Sequence, residues 1–302
     1  MQETQQIPQQ EQTVQEETPK KRKSRSSCFS RMAKLLLIII LVWWFNNCTI
    51  KITKENITSS KVNNEIKISV ISDYHASEKK FSLKNDYVIK KINQTNPDIV
   101  CVLGDMHSNN ATESEKEKSL SLMTDIIKEG YRLYFVLGEH DDRTNSYISE
   151  MEEKGIIVLN NEKKTIAVGK TSINLYGISN AYFSPSFDLR NEFDIDRKEF
   201  NILLAHIPMY SDYEKFGADL TLCGDTHGGI MQLPFIGPAY CDDQFFPGLS
   251  SDKTEIYDKG LFEYSGGHIF ITAGLGNYIK EKSLPVRLFN RPEVALITIS
   301  PD

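Results

Sequence analysis

The chain predicts an α/β sandwich that presents ligand-type side chains at its strand ends. Three features point there. Between residues 65 and 137, apolar runs of strand character alternate with stretches of helical spacing. Beyond residue 155 the pattern is mostly strand. Five of the six histidines sit in short polar motifs, each following an apolar run.

Taken in order, residues 1–19 are rich in Gln and Glu and are expected to be disordered. A basic cluster follows, made of Lys20, Lys21, Arg22, Lys23, Arg25, Arg31 and Lys34. The apolar run 35–45, LLLIIILVWWF, is too short alone for a bilayer span, which needs about 20 residues. Residues 32–50 supply that length if Lys34 snorkels and Trp43 and Trp44 sit at an interface. No small-x-small cleavage site follows, so an uncleaved signal anchor is expected rather than a removed leader. The basic flank lies on its N-terminal side, which orients the N-terminus to the cytosol and the rest outside the cell membrane. The expected organisation is a cytosolic tail over 1–31, a single-pass anchor over 32–50, a linker over 51–64 and one folded domain over 65–302.

Within that domain, residues 66–72 alternate and read as a strand. Residues 84–95 carry helical spacing through Tyr87, Val88, Ile89 and Ile92, and 98–103 is a buried strand. A helix over 117–129 can end at Gly130, and Asn109 and Asn110 are candidates to cap its start. Strands are expected at 131–137, 155–159, 163–168, 171–178, 201–205, 220–223, 269–273 and 294–299.

Net charge is −6, so the whole chain carries no nucleic-acid signature. Five scattered cysteines without a CxxC exclude a zinc finger and a disulfide scaffold. Cys101 and Cys223 lie in apolar runs and read as packing thiols.

The chemistry is in the motifs. They are Asp73-Tyr74-His75, Gly104-Asp105-Met106-His107, Gly138-Glu139-His140-Asp141, Ala205-His206-Ile207-Pro208 and Gly224-Asp225-Thr226-His227-Gly228-Gly229. Imidazole and carboxylate are the donors that hold hydrolytic divalent ions. Two ions roughly 3.5–4 Å apart can polarise a phosphate and generate hydroxide at neutral pH. Asp73, His75, Asp105, Glu139, His206, Asp225 and His227 supply seven metal donors, and His140 adds a group for proton transfer or phosphate contact. One Asp-x-His at a strand end is weak evidence. Five such motifs, each at a strand-to-loop junction, are strong evidence.

This series resembles the calcineurin-like metallophosphoesterase superfamily, whose pattern runs D-x-H, GD, GNH[DE], a single H, then GHxH. Residues 274–293, with Leu284-Pro285-Val286-Arg287 and Asn290-Arg291-Pro292-Glu293, look like its membrane-associated bacterial branch, which includes enzymes similar to UDP-diacylglucosamine pyrophosphohydrolases. The resemblance implies a four-layer α-β-β-α sandwich. It implies one metal held by Asp73, His75 and His227, with Asp105 bridging to a second metal held by Glu139, His206 and Asp225. His140 would contact the phosphate or protonate the leaving group, with Asp141 orienting it, and the nucleophile would be hydroxide on the metal. Glu139 and Asp225 depart from the pattern, replacing its Asn and its first GHxH His. Both fall on the second implied metal, and two carboxylates there favour oxygen-preferring ions. The expected cofactors are therefore two divalent ions, Mn²⁺ first, with an iron ion, Mg²⁺ or Zn²⁺ as the other choices.

The function expected is a membrane-anchored, extracytoplasmic, monomeric hydrolase of a phosphodiester, pyrophosphate or phosphomonoester, on a lipid-linked or envelope substrate. The competing class is a tethered, non-catalytic metal- or ligand-binding module. His107 reads as a loop residue supporting the site and His268 as structural. Phe235, Tyr240, Phe245 and Phe246 suit either core packing or a lip for lipid or substrate. Arg287 and Arg291 suit either a substrate phosphate or a structural pair.

Overall fold

The computed structural model describes residues 25–179, 188–241, 244–249, 256–276 and 285–302. The chain divides into two units, one ending at Leu41 and one spanning Val42–Asp302. Helix α1 (Arg25–Cys48) contains a stretch, Phe29–Cys48, long and apolar enough to cross a membrane. In the first unit its side chains over residues 32–41 are exposed.

The second unit is built on two six-stranded sheets. The first runs β1 (Lys51–Thr58), β16 (Glu293–Ser300), β2 (Ile66–Ile71), β3 (Ile99–Val102), β4 (Arg132–Phe135) and β5 (Ile157–Val158), parallel except where β16 meets β2. The second runs β14 (Gly260–Tyr264), β15 (Gly267–Ile271), β9 (Leu220–Cys223), β8 (Phe200–Leu204), β7 (Thr171–Gly177) and β6 (Glu162–Val168). Its four inner strands are parallel and its two edges antiparallel. Two small hairpins, β10 (Gln232–Leu233) with β11 (Gly237–Pro238) and β12 (Tyr240–Cys241) with β13 (Gln244–Phe245), interrupt the chain between β9 and β14.

The buried strands alternate between two cores, which is why they read as continuous apolar runs. On β3, Ile99 and Cys101 face the second sheet and join Leu175, Ile202, Leu204 and Leu222. Val100 and Val102 face the other way, onto Val88 and Ile92 of α2 (Asn85–Thr95), Met123 and Ile126 of α3 (Glu113–Lys128) and Met151 of α4 (Asn145–Glu153). Leu203 and Ile269 of the second sheet pack outward on Leu189 of α5 (Leu189–Glu192) and on Tyr213 and Phe216 of α6 (Tyr210–Phe216). The layers are thus helix, sheet, sheet, helix.

Three expectations are corrected. Residues 51–58 are not a linker but the edge strand β1, paired in parallel with β16 along its whole length. Its sequence, KITKENIT, buries only Ile57, so it lacks an apolar signal. Helix α3 is capped by Thr112 rather than Asn109 or Asn110: Thr112 accepts from Glu115 N–H while the Glu115 carboxylate receives Thr112 N–H. That cap starts the helix at Glu113, four residues before the expected 117.

Candidate metal centre

Parallel strands release their C-terminal loops at one edge of a sheet. Here the loops after β2, β3 and β4 meet those after β8 and β9. Backbone hydrogen bonds lock them together: Asp73 N–H to Gly104 O at 2.9 Å, His75 N–H to Asp105 O at 3.1 Å and Gly224 N–H to His206 O at 2.8 Å. Side chains add to the lock. His140 N–H donates to Asp105 Oδ1 at 2.9 Å, and Asp225 N–H reaches both Asp73 carboxylate oxygens at 3.2 Å.

Five of the seven expected metal ligands hold left-handed backbone: Asp73 (φ 50°), His75 (42°), Asp105 (54°), Asp225 (68°) and His227 (50°). This region is sparsely populated, and its clustering at one site is the kind of strain that marks function. The loops also approach closely enough to demand glycine. A Cβ at Gly138 would stand 2.1 Å from Asp105 Oδ1, and one at Gly224 2.8 Å from Asp73 Oδ2.

The side chains converge as follows. Asp73, His75 and His227 bring donor atoms together as one group, and Asp73, Asp105 and His206 form a second. A third comprises Asp105, Glu139 and His140. Asp105 Oδ2 lies at the centre, 3.7 Å from His75 Nε2, 3.8 Å from His140 Nε2 and 3.3 Å from His206 Nε2. Asp225 Oδ1 is 3.8 Å from His206 Nε2, and Asp73 Oδ1 is 3.8 Å from His227 Nε2. Glu139 stands at the solvent side, its carboxylate 3.4 Å from His140 Nε2.

His206 tests whether a cation fits. It is fully buried, and its Nδ1–H donates to Leu103 O at 2.6 Å. That bond turns Nε2, which has no hydrogen-bond partner, toward Asp105, Asp73 and Asp225. A buried acceptor facing three carboxylates requires a positive charge between them. Burial opposes a charged ring, yet the Asp105 carboxylate 3.3 Å away and the charge of Asp73 override it and push His206 up to about 10. A metal ion meets the same demand as that proton. Burial raises the Asp73 carboxyl to about 7, against the pull of His206. It lowers His75 to about 4 and His227 below the usual range, keeping both rings neutral and ready to ligate.

The supporting residues are only partly those expected. Asp141 does not hold His140. Its buried carboxylate accepts from Asp105 N–H (2.7 Å), Met106 N–H (2.9 Å) and Gly138 N–H (2.8 Å), binding the loop after β3 to the loop after β4. Burial and the Asp105 charge raise its carboxyl above the usual range, while the Gly138 amide pulls it back. His107 is buried between the same loops and accepts from Asp142 N–H at 3.4 Å. His268 faces Glu263 across β14 and β15.

Arg287 and Arg291 serve structure. Arg287 is buried and gives its guanidinium to the carbonyls of Gly276 (2.6 Å) and Ala273 (2.7 Å). Arg291 donates to Thr49 Oγ1 and Ile50 O. Two further supports were not among the expected site residues. Ser108 Oγ meets His75 Nδ1 at 3.2 Å, with no motif to mark it, and Asn290, from the Asn290-Arg291-Pro292-Glu293 segment that carried the resemblance, donates to the carbonyls of His227 (2.7 Å) and Gly228 (3.0 Å).

Comparison with known proteins agrees with this geometry. The profile of the calcineurin-like phosphoesterases matches residues 66–229, which contain all five motifs. The uncharacterized metallophosphoesterase YkuE of Bacillus subtilis is 28% identical over 83% of this chain and 85% of its own length. The phosphodiesterase YaeI of Escherichia coli is 27% identical over 77% of this chain and 82% of its own. A zebrafish transmembrane protein with a metallophosphoesterase domain is 26% identical over 78% of this chain, which spans 53% of that protein.

Proposed function

Since this chain belongs to the calcineurin-like phosphoesterase family and is a phosphoric-ester hydrolase, we propose that it is a membrane-anchored, two-metal enzyme that hydrolyses a phosphodiester of a lipid-linked or envelope substrate. The observation that carries the metal reading is the buried, partnerless Nε2 of His206 facing Asp105, Asp73 and Asp225.

In this reading Asp73, His75 and His227 would hold one ion and His206, Asp225 and Glu139 the other, with Asp105 shared between them. Such a pair would supply polarisation of the phosphoryl group and activation of water. The chain's own residues do the rest. Asp141 fixes the Asp105 loop through three backbone amides. Leu103 O sets the His206 tautomer. His140, half-exposed with Nε2 beside Asp105 and Glu139, is placed to give a proton to the departing oxygen. Glu139 and Asp225 make the second position rich in oxygen donors, and the nearest buried guanidinium, Arg287, is taken up by carbonyls. A hard ion such as Mn²⁺ suits that set better than Zn²⁺.

The anchor reading is supported by the 20-residue apolar stretch Phe29–Cys48, whose side chains are exposed from Phe29 to Val42, and by the basic residues before it, which favour a cytosolic N-terminus. The test is Mn²⁺-dependent hydrolysis of bis-p-nitrophenyl phosphate by the full chain, beside Asp105→Asn and His140→Ala. Wild type should exceed both by about 100-fold or more. Equal background in all three would sink the enzyme and leave a tethered binding module. Metal analysis should return two ions per chain, and one or fewer under saturating Mn²⁺ refutes the dinuclear assignment.

A further inference from the structure

Outside α1, every large apolar side chain exposed among the described residues lies in residues 231–249 or at Phe289. Phe235 is fully exposed, Phe245 is 77% exposed and Leu249 67%. Single exposed apolar residues need no explanation, but a gathered set marks an interaction surface. The two segments form one surface: Met231 bridges to Leu288, and Gln232 N–H donates to Leu288 O at 2.9 Å. Phe235 lies on the turn between β10 and β11, and Phe245 lies on β13. The turn at 247–249 rides directly on that first hairpin, where a Cβ at Gly248 would stand 1.8 Å from Ile236 O.

The backbone holds these rings outward under strain. Phe235 (φ 67°), Phe246 (50°) and Phe289 (52°) all occupy the left-handed region, a genuine outlier for a bulky side chain.

The same surface joins the end of α1 to the metal-centre loop. Trp43 Nε1–H donates to Pro285 O at 3.0 Å, and Asn47 exchanges two hydrogen bonds with the Arg287 backbone at 2.9 and 2.8 Å. Arg291 lies over the Phe45 ring at 4.3 Å. Phe289 therefore sits between two points that fasten the anchor's last turns. At the other end, Gly229 stands two residues past His227, and a Cβ there would meet Pro238 Cβ at 2.4 Å.

We propose that this aromatic face is a second membrane contact, inserted into the interface of the bilayer that α1 enters. The inference rests on the membrane-anchored reading. The tether makes a lipid surface the apolar phase at highest effective concentration. The only charges in residues 231–249 are Asp242 and Asp243. Insertion should therefore depend on buried apolar area and not on anionic lipid. A contact here orients the His227 loop, and with it the site, toward the headgroups.

The test uses the full chain in phosphatidylcholine nanodiscs, with Cys28→Ser and Cys48→Ser to leave only the buried Cys101, Cys223 and Cys241. The environment-sensitive dye NBD is placed by Phe235→Cys, or by Phe245→Cys in a second variant, with exposed Lys198→Cys as control. At 235 and 245 the dye should be blue-shifted and quenched about twofold or more by lipids carrying a nitroxide near the headgroup, with or without phosphatidylglycerol. At 198 it should stay water-like and unquenched. Trp43 and Trp44 report the anchor in the same discs. If they are quenched while both dye positions remain water-like, the second contact is refuted and the anchor stands. If they are not quenched, the anchored reading falls and this inference falls with it. A shift that depends on protein concentration, without lipid quenching, would assign the face to a second copy and overturn the proposal.

Discussion

Asp141→Asn should damage the protein twice over, and the size follows from three contacts. The Asp141 carboxylate accepts Asp105 N–H and Gly138 N–H on Oδ2, at 2.7 and 2.8 Å, and Met106 N–H on Oδ1 at 2.9 Å. An asparagine can keep its oxygen on the first pair, but its NH₂ then faces the Met106 N–H, donor against donor. One charge-assisted bond is lost and one buried amide is left unmet. Each of those costs about 1–3 kcal/mol, giving roughly 2–6 kcal/mol together. In a domain of this size, at about 2–4 °C per kcal/mol, that is a fall of roughly 4–24 °C in unfolding midpoint. The neighbouring Asp142 offers a matched control. Its carboxylate is partly exposed, caps the following turn by accepting Thr144 N–H at 2.9 Å, and lies 3.8 Å from Lys116 Nζ. Asp142→Asn should cost about 1 kcal/mol or less. Thermal unfolding of the full chain in one detergent, followed by circular dichroism, compares the two. Phosphodiester turnover should fall further for Asp141→Asn, because Asp105 sits on the loop that Asp141 holds. Equal midpoints for the two variants would refute the stapling role.

Gly138→Ala should abolish metal-dependent turnover, since the added Cβ would stand 2.1 Å from Asp105 Oδ1; Gly130→Ala, strained at φ 96° but with nothing within 4 Å, should lower the unfolding midpoint and retain turnover. Comparing their Mn²⁺ occupancy by mass spectrometry checks that the loss runs through the metal. Glu139→Asn combined with Asp225→His should shift the activity ratio from Mn²⁺ toward Zn²⁺, as measured by titrating each ion into metal-free protein; an unchanged ratio would show that neither carboxylate reaches an ion. The metal-free chain should lose stability as pH rises from about 7 to about 10. His206 is raised from 6.5 to about 10 in the folded state, so its contribution is complete below 6.5 and fades as the folded ring deprotonates. Below 6.5 the trend is mixed, because the lowered His75 and His227 favour folding as pH rises while the raised Asp73 opposes it. Unfolding midpoints across pH 7–10, with and without Mn²⁺, check this; a metal-loaded chain should show a flatter curve.

The parts of the fold that could be read in the sequence are those buried on both sides. Strands β3, β8 and β9 are nearly continuous apolar runs because each lies between two cores, and β2 is legible by its alternation. Strand β1 was invisible for the opposite reason. It closes a sheet edge with backbone hydrogen bonds to β16 and leaves Lys51, Lys54 and Glu55 partly or fully exposed. The site was legible to the same degree. Its donors follow apolar runs in short motifs, whereas its supports come from remote loops. Asp141 acts on amides 35 and 36 residues away, and Arg287 on carbonyls that no local pattern connects to it. The aromatic segment left core and lip open, because composition is the same in both and only the fold turns those rings to solvent.

The coincidence of ligand chemistry with left-handed backbone explains why strand-end Asp and His are informative at all. To aim a side chain into the gap between two sheets, the chain must turn sharply as soon as a strand ends. Five residues at this site do so at positive φ. Such backbone costs of order 1–3 kcal/mol per residue, and five of them would approach the whole stability of a typical domain. Asp and His lower that cost, since Asp, Asn and His are enriched several-fold among non-glycine residues in this region. They are also among the commonest ligands for hydrolytic metals. One residue choice therefore satisfies the turn and the ion together. A substitution that keeps only one of the two functions should separate them. Asp225→Gly keeps the turn at φ 68° and removes the carboxylate, so it should fold well and bind metal weakly. Asp225→Val removes the carboxylate and opposes the turn, so it should also be less stable than the Gly variant by about 1–3 kcal/mol and unfold at a lower midpoint. Equal midpoints for the pair would show that the left-handed turn is set by the ion and not by the chain.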